Sequence, residues 1–528
     1  MGMTRGFVPK QLTNKREGSV ERAIERRWWV AIVTGVTLVL GMAFSASALA
    51  FGMEEVAARA EKLAKESFKE PGEAVPEWLR KISYDQWRTI RYRLDQALWR
   101  DRRSPFQVQF FHPGLYYDRT VTVNVVEADG VHQVAFSPSY FDYGDTGFAS
   151  RVPQDLGYAG FRLHYPLKTN SYFDEVIVFL GAAYFRAVGR DDVFGVSARG
   201  LAVDTAARSG EEFPYFKEFW LVAPAPGAKD MLVYALLDSP SLTGAYRFLV
   251  RPGGQTIVTV DAQVFLRREV QKIGLAPLTS MYFFGENSRG RFEDFRPEVH
   301  DSDGLLLHFQ SGEWLWRPLD NPSELHVSAF KMDKPRGFGL LQRDRDFDHY
   351  QDLETHAERR PSLWIQPSGD WGAGRVELIE IPTDSEVNDN ITAFWVPDKQ
   401  PKPGQPFPFS YAMYWYADDG RRPPAGRVVA TRRDRGTIED GYRFVVDFAG
   451  EKLKALPAER VLRGVVTVAP SKAGQLLDQH VVKNPITGTW RLVFQMRAKS
   501  DDPVELRAYL DKGGDILTET WSYVVRPD

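Results

Sequence analysis

The sequence predicts a large all-β protein built as two β-sandwiches, and three observations carry that prediction. From Phe106 onward the chain runs in short stretches of alternating apolar and polar residues, the period of a strand with one face buried. Turn segments bearing glycine and proline separate those stretches at short intervals. Convincing helical periodicity is confined to the residues before Arg103, which argues against an alternation of strands and helices.

The first fifty residues read as a targeting segment. A basic stretch ending Glu25-Arg26-Arg27 meets an apolar run from Trp28 to Phe44, and Ala48-Leu49-Ala50 fits a small-x-small cleavage site. The mature chain is then expected to begin at Phe51. An uncleaved anchor is the alternative, because the run approaches the length of a bilayer span. Short helices follow. Met53 to Phe68 has Val56, Ala60, Leu63 and Ala64 at helical spacing, and Ser83-Tyr84-Asp85-Gln86 reads as a capping box opening a helix with Trp87, Ile90, Leu94, Ala97 and Leu98 on one face.

The strand chemistry begins next. Phe106 to Phe110, Val121 to Val125, Arg247 to Val250 and Thr256 to Val260 have period two, with hairpin turns at Ala128-Asp129-Gly130 and Pro252-Gly253-Gly254. Four prolines between Pro397 and Pro406 exclude a central strand there and mark a linker. That divides the chain into residues 1–50, a large sandwich over 51–398, and a linker with an immunoglobulin-like sandwich over 399–528, whose first strand is expected at Phe409 to Trp415.

Composition narrows the function. Lys plus Arg number 67 against 70 Asp plus Glu, a balance that lacks the basic face of a nucleic-acid-binding protein. Removal of residues 1–50 leaves 60 against 67, a mildly acidic chain. The absence of cysteine removes disulfides, thiolate metal sites and cysteine nucleophiles together. No zinc His-Glu-x-x-His, phosphate-binding glycine loop or Gly-x-Ser-x-Gly elbow occurs, and the nine histidines are scattered, so neither a metal nor a cofactor is expected.

Residues 281–396 crowd carboxylates, arginines, tryptophans and turns together. Such a cluster suits a carbohydrate groove, because pyranose C–H faces lie on aromatic rings while carboxylates and arginines bind hydroxyls. Each residue taken alone is better explained by Asx turns or core packing, and it is the cluster as a whole that points to the groove.

Several stretches carry a family resemblance: Phe110-Phe111-His112-Pro113-Gly114, Tyr282-Phe283-Phe284-Gly285-Glu286-Asn287, Arg296-Pro297-Glu298-Val299-His300-Asp301-Ser302-Asp303-Gly304-Leu305, Tyr350-Gln351-Asp352-Leu353-Glu354, Gly369-Asp370-Trp371-Gly372 and Asn388-Asp389-Asn390-Ile391-Thr392-Ala393-Phe394-Trp395. Together they resemble the periplasmic glucan biosynthesis proteins of the G and D type, from about residue 51 to the end. The resemblance implies a galactose-mutarotase-like β-sandwich joined to an immunoglobulin-like one, residence in the periplasm, and a role with osmoregulated β-1,2-linked glucans. It also implies glycoside hydrolysis with inversion, in which Asp389 is the general acid and Asp301 the general base, reaching its water indirectly; the two roles can be exchanged. His300, Asp303, Tyr350, Asp352, Arg343, Trp364, Trp371, Asn388 and Asn390 would line the glucan groove, with Arg296 and Arg343 turned inward to hydroxyls or a carboxylate. An inverting pair stands about 6.5–9.5 Å apart to admit water. Two other readings stay open: a non-catalytic glucan-binding protein that guides polymer for a membrane glucosyltransferase, and an epimerase suggested by fold analogy.

Overall fold

Alternating burial marks strands such as Thr256–Leu266, whereas Ile273–Ser280 and Ile391–Pro397 are buried along their whole length. The computed structural model describes residues 51–527 except 73, 103, 289–291, 419, 437 and 439, so the targeting segment expected over 1–50 lies outside the described residues. The fold is all-β, with a few short helices. One ten-stranded sheet runs in the order Gln107–Phe111, Gly160–Tyr165, Asp174–Leu180, Tyr184–Ala187, Ser197–Arg199, Ile273–Ser280, Ile391–Pro397, Gly374–Glu380, His326–Met332, with Ala202–Val203 joined to Ile273–Ser280. It packs over a fifteen-stranded sheet through a core that includes Phe161, Phe179, Phe248, Val260, Leu278 and Trp395.

The expected hairpins are present. Thr122–Glu127 returns through Gly130 into Gly130–Gln133, and Leu242–Arg251 returns into Thr256–Leu266. Met53–Ala64 is the expected first helix, and it lays Val56 and Ala60 on Trp220, Tyr234 and Phe265 at the outer face of the large sheet. The capping box at Ser83 also forms: Gln86 N donates to Ser83 Oγ at 3.2 Å, and Ser83 N donates to Gln86 Oε1 at 2.9 Å. That helix stops at Thr89, however, short of the face expected to reach Leu98. Arg91–Tyr92 pairs instead with Phe141–Asp142, and Leu94 is left 63% exposed, so strand pairing overrides the helical period.

The sharpest departure concerns the strand Phe407–Tyr416. Expected to open the C-terminal sandwich, it instead pairs with Thr256–Leu266 on one side and Ser362–Ser368 on the other, within the large sheet. Its Phe409, Tyr411, Met413 and Trp415 enter the first core, whereas Tyr414 and Tyr416 face a second core. The neighbouring strands repeat the division. Leu305, Leu307, Leu340, Leu363 and Ile365 belong to the first core, and Leu306, Leu341 and Trp364 to the second. One sheet layer therefore serves both cores. The second core is completed by the four-stranded sheet Arg427–Asp434, Gly441–Ala449, Trp490–Ala498, Gly474–Lys483 and by Val504–Lys512 and Thr520–Val525.

Candidate active site

Both candidate acids hang from one short segment. Tyr282–Phe284 pairs antiparallel with Val299–His300, Asp301 N donates to Met281 O at 2.8 Å, and Ser280 Oγ donates to Ser302 Oγ at 2.8 Å. These contacts anchor Asp301. The loop that carries Asp389 is closed by Ile381 N donating to Asn390 O at 2.9 Å. The Asn390 side chain then grips the same segment: Tyr282 N donates to Oδ1 at 2.8 Å, and Nδ2 donates to Tyr282 O at 3.0 Å and Ile381 O at 3.1 Å. Two acids 88 positions apart in sequence are thereby held on one scaffold.

Their electrostatics differ. Asp301 Oδ1 forms an ion pair with Arg360 Nη1 at 2.6 Å, while the same guanidinium nitrogen donates to His300 O at 3.0 Å. Burial raises the Asp301 carboxyl, and the charges of Arg360, Arg186 and His300 oppose that rise. Asp389 has no ion pair or hydrogen bond from its side chain to another described residue. It is exposed, yet enough protein surrounds it for desolvation to raise its carboxyl most, with the negative charge of Asp301 next. Each acid feels the other's neighbourhood, and only Asp301 has a cation bound to it.

His300 serves another surface. Its ring is buried, with Nε2 at 3.0 Å from Glu298 Oε2 and Nδ1 at 3.0 Å from Gln342 Oε1, stacked against Tyr282 and edge-on to Tyr350. Burial alone would lower the imidazole, but the hydrogen bond and charge of Glu298 leave it raised. His300 and Asp303 line a cavity of about 40 Å³ with Glu286, Glu298, Arg343 and Asp344, whose lining includes neither Asp301 nor Asp389. Asp303 Oδ2 accepts from the backbone N–H of Arg343 and of Asp344, both at 2.9 Å, and burial pushes its carboxyl up to about 6. Asp303 thus clasps the backbone of Arg343 and Asp344, while the charge of His300 reaches Asp301.

Several residues expected in the groove are structural. Trp364 is 2% exposed in the second core, and its indole fills the space beside Gly337, where a Cβ would lie 2.2 Å from the ring. It offers no platform to a sugar. Arg343 is likewise buried and binds Glu519 through both terminal nitrogens, at 2.6 and 3.0 Å, above the ring of Trp316 at 3.7 Å. It does hold a carboxylate, but one on the C-terminal strand Thr520–Val525's flank and not one in the groove. Tyr350 is buried, accepting from Gln342 Nε2 at 2.8 Å and donating to Asp344 O at 3.1 Å. Trp371 is half-buried, donating from Nε1 to Ser410 O at 3.1 Å. Asn390 is only 2% exposed and fully engaged, so it orients Asp389's loop and leaves no group for a hydroxyl. Asn388 is exposed beside Asp389, donating to Thr383 Oγ1 at 3.3 Å. Asp352 caps its own turn through Thr355 and binds Arg296 at 3.3 Å, contacts that hold its carboxyl down to about 2 against the opposing effect of burial.

Four residues without an expected role belong to the site: Arg360, Arg186, Arg199 and Tyr184. Arg199 donates to Thr279 and Thr392 and binds Glu211 at 2.6 Å, with its guanidinium 4.9 Å from the Tyr184 ring. The charges of Arg186 and Arg199 offset part of the rise that burial and Asp301 impose on the Asp389 carboxyl. Nothing in spacing points to them: Tyr184 and Arg186 share one strand, Arg199 ends another and Arg360 follows a short helical turn, so they meet the acids only through the fold. Among the described residues, two clusters have the donors for a cation: Glu298, Asp344 and His349, and the exposed Glu127, Asp129 and His132. In each, the histidine already hydrogen-bonds the aspartate, at 2.5 and 3.0 Å respectively.

A family model described as periplasmic glucan biosynthesis protein, MdoG, matches residues 51–525. The glucans biosynthesis protein G of Ralstonia nicotianae is 49% identical over 500 residues, covering 93% of this chain and 99% of that protein. The solved Slr1438 protein from Synechocystis sp. PCC 6803 is 7% identical, covers 58% of this chain and 98% of its own, and superposes with a TM-score of only 0.15. With nearly all of the described residues inside the family match and a full-length relative at 49% identity, the chain belongs to the periplasmic glucan biosynthesis family.

Proposed function

We propose that the chain hydrolyses β-1,2-linked glucan in the periplasm with inversion at the anomeric carbon, trimming the backbone during glucan biosynthesis. The observation that carries the reading is the asymmetry of the two acids. Asp301, paired with Arg360 at 2.6 Å, has beside it the charge that favours the ionised form a base needs, against the rise from burial that both acids share. Asp389, raised by burial and by the charge of Asp301, is suited to hold the proton that the leaving oxygen needs. With both carboxyls on one scaffold, protonation of the glycosidic oxygen and deprotonation of water proceed from opposite sides of the sugar. Residues 1–50 act as the export signal in this reading, and a membrane glucosyltransferase supplies the nascent polymer.

The experiment is release of reducing ends from linear β-1,2-glucan, with the first-formed anomer read by NMR before mutarotation. An α product supports inversion. A β product rejects the two-role scheme, and binding without release returns the chain to the role of a glucan-guiding protein.

A further inference from the structure

One side chain draws three loops together beside the acids. Arg296 donates from Nη2 to Asp294 Oδ2 at 2.7 Å and from Nε to Asp294 Oδ1 at 3.0 Å, and its Nη1 donates to Glu386 Oε2 at 2.8 Å and Asp352 Oδ2 at 3.3 Å. Asp294 precedes the strand Val299–His300, Asp352 follows the short helix Phe347–Tyr350, and Glu386 lies on the loop that carries Asp389. The planar fork of a guanidinium can satisfy several carboxylates at once, where a lysine ammonium could not reproduce the geometry.

Each tethered segment turns a large apolar side chain outward at the residue next to its Arg296 contact. Phe295 is 80% exposed, Leu353 76% and Val387 84%. Single exposed apolar residues are ordinary. Three of them stand one position from carboxylates bound to the same guanidinium, on segments that it draws together. The Phe295 ring centroid lies 5.9 Å from the Arg296 guanidinium carbon, which ties the ring to the junction. The charge of Glu386 reaches Asp301, so the junction adjoins the acids.

We propose that Phe295, Leu353 and Val387, gathered by Arg296, form an apolar platform for the sugar rings of a glucan chain beyond the bond between Asp301 and Asp389. The proposal rests on the glucan reading above. An uncharged polyglucose presents C–H faces to such a surface and hydroxyls to the carboxylates around it. The acidic residues of the junction would not repel it, as they would an anionic polymer.

The test is calorimetric binding of long linear β-1,2-glucan to Asp389→Asn, with and without Phe295→Ala, Leu353→Ser and Val387→Ser combined. The combined variant is expected to bind the long chain about tenfold more weakly, while retaining the affinity of its parent for a short β-1,2-linked oligosaccharide. Unchanged long-chain affinity, or equal loss for both ligands, overturns the platform. All three positions are exposed, and circular dichroism with the thermal midpoint checks that each variant is folded; the single substitutions serve if the combination is not. A wild-type chain that binds glucan without cleaving it defeats the hydrolase reading alone. One that cleaves while the combined variant binds like its parent defeats the platform alone.

Discussion

The carboxamide of Asn390 closes both backbone hydrogen-bonding groups of Tyr282, accepting from its N–H at 2.8 Å and donating to its carbonyl at 3.0 Å. Tyr282 in turn pairs with His300, one residue before Asp301. The clasp therefore sets the position of Asp389 relative to Asp301. Asn390→Ala leaves buried backbone groups unpaired and is expected to cost about 2–4 kcal/mol of stability. Because it also frees the loop, activity should fall even at temperatures where the variant remains folded, which chemical denaturation and rate measurement on the same sample would separate. Full activity in the folded variant would falsify the clasp as the positioning device.

Asp389→Asn removes the proposed proton donor but leaves side-chain size unchanged. Glucan hydrolysis is expected to fall by about 10²–10⁴-fold. The folded state and the affinity for intact glucan should persist. A residual rate near wild type would move the acid role elsewhere.

Arg360 opposes the rise that burial imposes on the Asp301 carboxyl. Replacement with Ala removes the charge that lowers the Asp301 carboxyl, so burial raises it further. A base with a higher pKa becomes protonated at higher pH, and the acid limb of the rate profile should shift toward neutrality. Arg360→Lys should restore part of the wild-type profile by supplying the charge without the second hydrogen bond to His300. An unmoved acid limb in Arg360→Ala would separate Arg360 from the base.

Much of this organisation is legible in the sequence, and the exceptions have physical causes. Alternation locates strands such as Thr256–Leu266 and Trp490–Ala498, in which buried and partly exposed positions take turns. It misassigns Phe407–Tyr416 because both faces of that strand are covered, by a different core on each side. The same double burial turns Trp364 from an expected platform into core. Local motifs identify Asp301 and Asp389, whose neighbours in sequence are also their anchors. Arg360, Arg186 and Arg199 escape notice because they approach from segments distant in sequence, and a surface arginine and a site arginine look alike in a linear sequence.

Arg343 illustrates how a residue from the motif-rich region can act outside the groove. Its pair with Glu519 is 4% and 0% exposed. Arg343→Ala would strand a buried carboxylate and is expected to destabilise the protein by about 3–5 kcal/mol. Joint replacement of Arg343 and Glu519 by apolar residues should recover much of that loss, since no charge remains buried. Glucan affinity of the folded variants should be unaffected. A selective loss of affinity without loss of stability would return Arg343 to the groove.

Glu380 links stability to pH. It is buried, accepts from Asp320 N at 2.9 Å and lies 3.3 Å from Arg526 Nη2. Burial and the Asp320 charge push its carboxyl up from 4.5 to about 7, against the charges of Arg526 and Arg317. The folded state thus binds this proton more tightly than the unfolded chain does. Its contribution to stability is full below about pH 4.5 and is lost as pH rises through about 7. Glu380→Gln keeps the neutral, hydrogen-bonding form at every pH. It is expected to flatten the stability curve across that window and to raise stability at pH 8 by about 1–3 kcal/mol. Parallel denaturant titrations of wild type and variant at pH 5 and pH 8 measure the difference. A variant less stable than wild type at pH 8 would mean that Glu380 is ionised in the fold and that its pairing with Arg526 outweighs the burial.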